Sequence, residues 1–94
     1  MYDISVATFK VILTKKASVE LDRIKRGNKR IYEQLKDALK ELKSDPYGPN
    51  TKPLKGTASD RRVRVGGYRI LYSVEREQVL VEVMRIGPRG DVYK

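Results

Sequence analysis

The sequence predicts an α+β domain in the order β-α-α-β-β-β: an antiparallel sheet with an N-terminal helical hairpin packed on one face. Three stretches carry that expectation. Residues 61–72 alternate on either side of Gly66-Gly67 and read as a two-stranded hairpin, since Gly-Gly accepts the positive φ angles of a type I′ turn. Residues 15–25 and 29–44 carry apolar side chains at helical spacing. Val79, Val81 and Val83 alternate as a last strand.

In chain order, Phe9-Lys10-Val11-Ile12-Leu13 is a short β-type run, and Thr14 is placed to cap the helix that follows. Ala17, Leu21 and Ile24 mark the buried side of that helix. Gly27 stops it and Asn28 caps the next, whose apolar stripe is Ile31, Leu35, Ala38, Leu39 and Leu42. Pro46 ends the second helix near Ser44. Two helices with so short a break lie antiparallel, and each leaves one apolar side that only a sheet can cover. Residues 46–60 are rich in Pro, Gly, Asn, Thr and Ser and read as a loop that brings Lys52 and Lys55 beside the hairpin. A second turn is expected at residues 75–78, and the tail from Arg85 onward reads as turn-forming. No internal repeat or domain boundary interrupts residues 1–94, which are expected to form a single domain.

The chain has 94 residues and a net charge of +9, with neither cysteine nor histidine. Eleven basic and seven acidic residues fall in residues 1–51, ten and five in residues 52–94, so the charge belongs to the whole folded body. It points to a polyanionic partner. Without His or Cys, and with scattered carboxylates, a metal centre is not expected. Disulfides are absent for the same reason. No apolar run has the length of a membrane span and no signal-peptide pattern is present, so a cytoplasmic setting with no membrane partner is expected.

The hairpin carries the anomaly. Turning at Gly66-Gly67 sets Val65 opposite Tyr68, Arg64 opposite Arg69 and Val63 opposite Ile70. Val63, Val65, Tyr68, Ile70 and Tyr72 then share one face, and Arg62, Arg64 and Arg69 share the other with Leu71. A single arginine there would be an ordinary solvated side chain. Three converge, without an acidic residue among them, and like charges directly opposite repel. A phosphodiester would turn that repulsion into attraction, because guanidinium donors match phosphate oxygens. On an open face, truncating Arg69 is expected to relieve repulsion and leave the fold intact.

This set of cations, with tyrosines nearby, can bind phosphate, stabilise charge developing on it, and stack against bases. On RNA that is enough for cleavage, since the 2′-OH is its own nucleophile. The base is the open question: among the side chains at hand, a tyrosine beside guanidinium groups is a better candidate than any arginine.

Taken together, Leu54-Lys55-Gly56, Arg62-Val63-Arg64-Val65-Gly66-Gly67-Tyr68-Arg69-Ile70-Leu71-Tyr72 and Arg85-Ile86-Gly87-Pro88-Arg89-Gly90-Asp91-Val92-Tyr93 resemble the RelE/ParE toxin superfamily of toxin–antitoxin pairs. The resemblance implies a RelE-like fold and, for RelE-type members, ribosome-dependent endoribonuclease activity on mRNA without a cofactor. It implies catalytic roles for Arg64, Arg69, Arg89 and Tyr93, with Arg69 stabilising the transition state, and substrate binding by Lys52, Lys55 and Arg62. It also implies two partners, the ribosome with its mRNA and a cognate antitoxin, expected to be acidic and to fold on binding. The sequence departs from the pattern twice: Arg62 and Arg64 stand where some active members have lysine, and Pro88 stands where many have histidine. Both leave the base open. The alternative within the superfamily is a ParE-type toxin, which inhibits DNA gyrase by protein binding and cleaves no RNA. A basic nucleic-acid-binding module without toxicity would explain the charge but not the C-terminal tyrosine.

Overall fold

The hydroxyl of Thr14 accepts the Ala17 N–H at 3.1 Å, which pairs one of the donors that a helix start leaves open. The helix it caps, α1, runs Lys15–Gly27, and α2 runs Lys29–Ser44. Asn28 closes one and opens the other: its backbone N–H donates to the Ile24 carbonyl, and its side-chain oxygen accepts from Ile31 N–H. Ala17 of α1 and Leu35 and Leu42 of α2 are buried, with Leu21, Ile24, Ile31, Ala38 and Leu39 packed around them. Replacing Leu35 by Ala would cost about 2–5 kcal/mol by the usual cavity penalty. The computed structural model describes residues 8–57 and 59–88.

The strands are β1 (Lys10–Leu13), β2 (Thr51–Pro53), β3 (Asp60–Val65), β4 (Tyr68–Glu75) and β5 (Leu80–Pro88), laid side by side as β1-β5-β4-β3-β2. The helical hairpin covers one face over Val63, Ile70, Tyr72, Val74, Val81, Val83 and Ile86. The order and the packed helical hairpin are as the sequence predicts. The sheet is mixed rather than wholly antiparallel, because β1 pairs with β5 in parallel. Parallel neighbours need a long crossover, and here the helices and the other three strands supply it.

Four local expectations are corrected. The loop at residues 46–60 contains β2, which pairs with the edge of β3 although Pro53 lacks an N–H; an edge strand tolerates that loss. Only Gly66 of the Gly-Gly turn has positive φ (+59°), the pattern of a type II′ rather than a type I′ turn. Val79 lies in the turn rather than on the last strand. Its φ of 52° is rare for a β-branched residue, and its carbonyl accepts from Lys10 N–H at 2.9 Å, which ties the turn to β1. The last strand continues through Pro88, so residues 85–88 are strand rather than turn.

A bulge explains that longer strand. Leu71 faces Arg85 and Tyr72 faces Val83, so Met84 is the extra residue. Its carbonyl accepts from the Thr14 hydroxyl at 3.1 Å. The insertion shifts the alternation and puts Ile86, rather than Arg85, in the core opposite Ile70.

Tyr72 fixes the loop after α2. Its ring is fully buried and its hydroxyl donates to the Pro46 carbonyl at 2.6 Å. Burial pushes the Tyr72 pKa up, against the opposing pull of the Thr51 hydroxyl and the Arg61 guanidinium. A phenol whose pKa is raised on folding adds stability that is fully present below the unfolded value, near 10, and is lost as pH rises through the folded value. Tyr72→Phe leaves the Pro46 carbonyl without its donor and is expected to cost about 1–3 kcal/mol at neutral pH. In urea titrations the gap between wild type and variant should narrow above about pH 10. A gap constant across that range would mean that the hydroxyl is not the source of the loss.

Candidate functional site

The face of the sheet away from the helices carries the arginines, and the hairpin register puts them there. Val65 pairs with Tyr68, Arg64 with Arg69 and Val63 with Ile70, as the turn position predicts. Strand β2 then adds a fourth cation, because Lys52 sits opposite Arg62. Lys52, Arg62 and Arg64 line one shallow groove with Pro49, Asn50 and Gly66. No acidic residue lines it among the described residues. Asp60 has the same parity as Arg62 but sits at the far end of β3, beside Ser73.

The four cations are not equivalent. Lys52 and Arg64 are exposed and Arg62 is half-buried, but Arg69 is only 5% exposed in the central strand β4. The expected open face at Arg69 is therefore corrected: truncation there removes a buried side chain as well as a like charge. Arg69 is flanked by Arg64 on one neighbouring strand and Gly87 on the other.

The wall of the groove is held from behind by a residue that the sequence reading passed over. Arg61 has the opposite parity to Arg62 and turns toward the helix side. Its guanidinium donates to the Thr51 hydroxyl at 2.8 Å and lies over the Tyr47 ring, 5.0 Å from the centroid. Thr51 in turn donates to the Gly48 carbonyl at 2.8 Å, and the Asp45 carboxylate accepts from Tyr47 N–H at 2.9 Å. These bonds set residues 45–51 and so place Lys52 against β3. The signal was available: Arg61 shares the parity of Val63, and an inward arginine needs partners of this kind.

Lys55 is not brought to the groove. It lies in the turn after β2, exposed, toward the end of β3 that holds Asp60. Arg89 and Tyr93 lie outside the described residues. Arg85 is held on the other side of the sheet end by Glu20 of α1, which accepts from its guanidinium at 3.1 Å and also caps Ile86 N–H at 2.9 Å. The spacing Ala17, Glu20, Leu21, Ile24 foreshadows this, since it turns Glu20 toward the sheet with the apolar stripe. Among the described residues no cluster of carboxylates could hold a metal ion, and no helix is long and apolar enough to cross a membrane.

A sequence profile described as the ParE toxin of the type II toxin–antitoxin system parDE matches residues 11–93. Comparison with curated proteins gave no match. Among solved structures, the isolated RelE toxin of E. coli is 27% identical, with 90% of each chain covered and a TM-score of 0.75. The toxin in an archaeal RelE–RelB complex from Pyrococcus horikoshii is 26% identical over 88% of this chain and 97% of that one, with a TM-score of 0.75. A YoeB/ParE toxin from Agrobacterium tumefaciens, at 22% identity, covers 86% of this chain and 99% of its own with a TM-score of 0.76, a likeness of fold.

The unequal burial of the facing arginines gives a stability test. Arg64→Ala, at an exposed position, is expected to change the unfolding free energy by no more than about 0.5 kcal/mol. Arg69→Ala is expected to destabilise by about 1–3 kcal/mol, the usual loss for emptying a buried position. Urea denaturation of both variants checks this; equal effects would contradict the burial difference.

Proposed function

Because the chain belongs to the ParE toxin family of type II toxin–antitoxin systems, within a superfamily that includes both RelE-type RNases and ParE members that are not RNases, we propose that it acts as an endoribonuclease on mRNA at the ribosome. The observation that carries the reading is the groove: Lys52, Arg62 and Arg64 converge on one concavity, with Arg69 paired across the strand from Arg64. Like charges held side by side destabilise one another, and a bound phosphodiester removes that cost.

In this mechanism the 2′-OH attacks the adjacent phosphorus, and the bond to the 5′ oxygen of the next nucleotide breaks. The products are a cyclic phosphate and a free 5′-hydroxyl. Lys52 and Arg62 hold the flanking backbone, while Arg64 and Arg69 take up negative charge on the pentacoordinate phosphate. Side-chain cations do this work without a metal. Tyr93, with Arg89, is the proposed proton-transfer pair. A tyrosine beside guanidinium groups would ionise more readily than an isolated one. The RelE–RelB complexes among the similar structures support a cognate antitoxin as the second partner. An acidic segment that folds on binding would complement the exposed cations. The cytoplasm, where mRNA is translated, is the proposed location.

The family description favours a second reading, a ParE-type toxin that inhibits gyrase by protein binding. Primer extension on RNA from induced cells separates the two. The nuclease reading expects cleavage within translated codons, slowed about 10²–10⁴-fold by Tyr93→Phe if the hydroxyl transfers a proton. DNA damage with intact mRNA would replace it with the gyrase reading.

A further inference from the structure

A second concavity lies at the same end of the molecule as the Gly66-Gly67 turn, on the helix side of the sheet. Arg23, Ile24 and Asn28 form one wall, and Tyr68, Ile86 and Gly87 the other. Tyr68 and Arg69 are consecutive on β4, so their side chains leave on opposite faces. The pocket and the arginine groove therefore lie on opposite faces of the sheet, with Tyr68 lining the first and Gly66 the second at either side of the turn.

The donors in the pocket are specific. Arg85 also borders it, but Glu20 neutralises that guanidinium at 3.1 Å. No carboxylate pairs with Arg23 among the described residues. The Asn28 oxygen is occupied by Ile31 N–H at 3.2 Å, which leaves its amide N–H groups as donors. Tyr68 is half-buried, packed along one side against the core and open on the other. The junction of α1 and α2, whose Gly27 and Asn28 line the pocket, also carries Lys25, Arg26, Lys29 and Arg30, all exposed. Of these, Arg26 is engaged by Asp22 and Lys25 lies over the Tyr32 ring at 5.3 Å.

We infer that this pocket is a second RNA subsite, which takes an unpaired nucleotide of the strand seated in the arginine groove. The inference rests on the nuclease reading above. A base would stack on Tyr68 and accept hydrogen bonds from the Asn28 amide, while its phosphate pairs with Arg23. Stacking on an aromatic beside cations that track the backbone is the usual physics of single-strand binding. A strand passing from groove to pocket crosses Gly66-Gly67, where the turn adds no side chain of its own and Gln34 and Ile31 of α2 stand beside Gly66. A polyglutamate-like peptide would pair with Arg23 but brings no planar ring to stack on Tyr68, so RNA is the better fit.

The test is fluorescence anisotropy of a labelled single-stranded RNA, on the order of ten nucleotides long, titrated with the purified chain at several salt concentrations. The pocket variant combines Arg23→Ala with Asn28→Ser; serine keeps the helix cap while the amide is lost. The groove variant combines Arg62→Ala with Arg64→Ala. The inference expects the pocket variant to bind RNA about tenfold more weakly. Its slope of log K against log salt should also fall by about 0.7, the share of one single-strand phosphate contact. The Tyr68 ring resonances should shift on adding RNA to the wild type. Wild-type affinity and slope in the pocket variant, with weakened binding in the groove variant, would overturn the inference and leave the nuclease reading standing. Wild-type binding in both variants would overturn that reading too. Loss of polyglutamate binding without loss of RNA binding in the pocket variant would reassign the pocket to a protein partner.

Discussion

Everything at the proposed site depends on the register of the β3–β4 hairpin. Side chains alternate along a strand, so a slip of one residue would exchange the two faces. Val63 and Ile70 would leave the core, and Arg62, Arg64 and Arg69 would enter it uncompensated. The positive φ of Gly66 fixes the turn, and the burial of Val63, Ile70 and Tyr72 under the helices makes any other pairing costly. The apolar face thereby enforces the basic one. Repulsion between Arg64 and Arg69 amounts to no more than about 1 kcal/mol, small against the loss of several buried side chains.

A second constraint acts from behind the groove. The Tyr72 hydroxyl and the Arg61 guanidinium tie residues 45–51 to the helix side of the sheet, and β2 emerges from that loop. Lys52 reaches Arg62 only because this short edge strand exists. The site is thus built on an edge and a hairpin, while the central strand contributes the buried Arg69. Burial matters to the electrostatics: a cation shielded from water acts more strongly on a phosphate than one on the rim. In the proposed mechanism Lys52 and Arg62 hold the backbone, and Arg64 and Arg69 take up charge on the phosphate, Arg69 from the more shielded position.

The sequence made some elements plain because one local signal settles each. Thr14, Asn28 and Pro46 mark helix ends by capping and sterics alone, and Gly66-Gly67 sets the cross-strand partners. What it concealed needed tertiary context. Pro53 and the surrounding turn residues hide β2, whose pairing depends on the free edge of β3. The parallel partnership of β1 and β5 joins segments far apart in the chain. The Met84 bulge interrupts a clean alternation and cannot be read from residue types. The burial of Arg69 follows from a central strand position rather than from its neighbours in sequence. Arg62, Arg64 and Arg69 were legible as a set and Arg61 by its parity with Val63, but the pocket beside Tyr68 and the absence of Lys55 from the groove appear only in the folded chain.

The claim that this arginine groove makes RNA cleave itself can be tested at a single atom. An mRNA programmed on ribosomes, with one 2′-deoxynucleotide on the 5′ side of the cleaved bond, removes the nucleophile and leaves the phosphate intact. The account predicts that cleavage stops at that bond while the protein still binds the complex. Cleavage there at the rate of the all-ribose mRNA would contradict it.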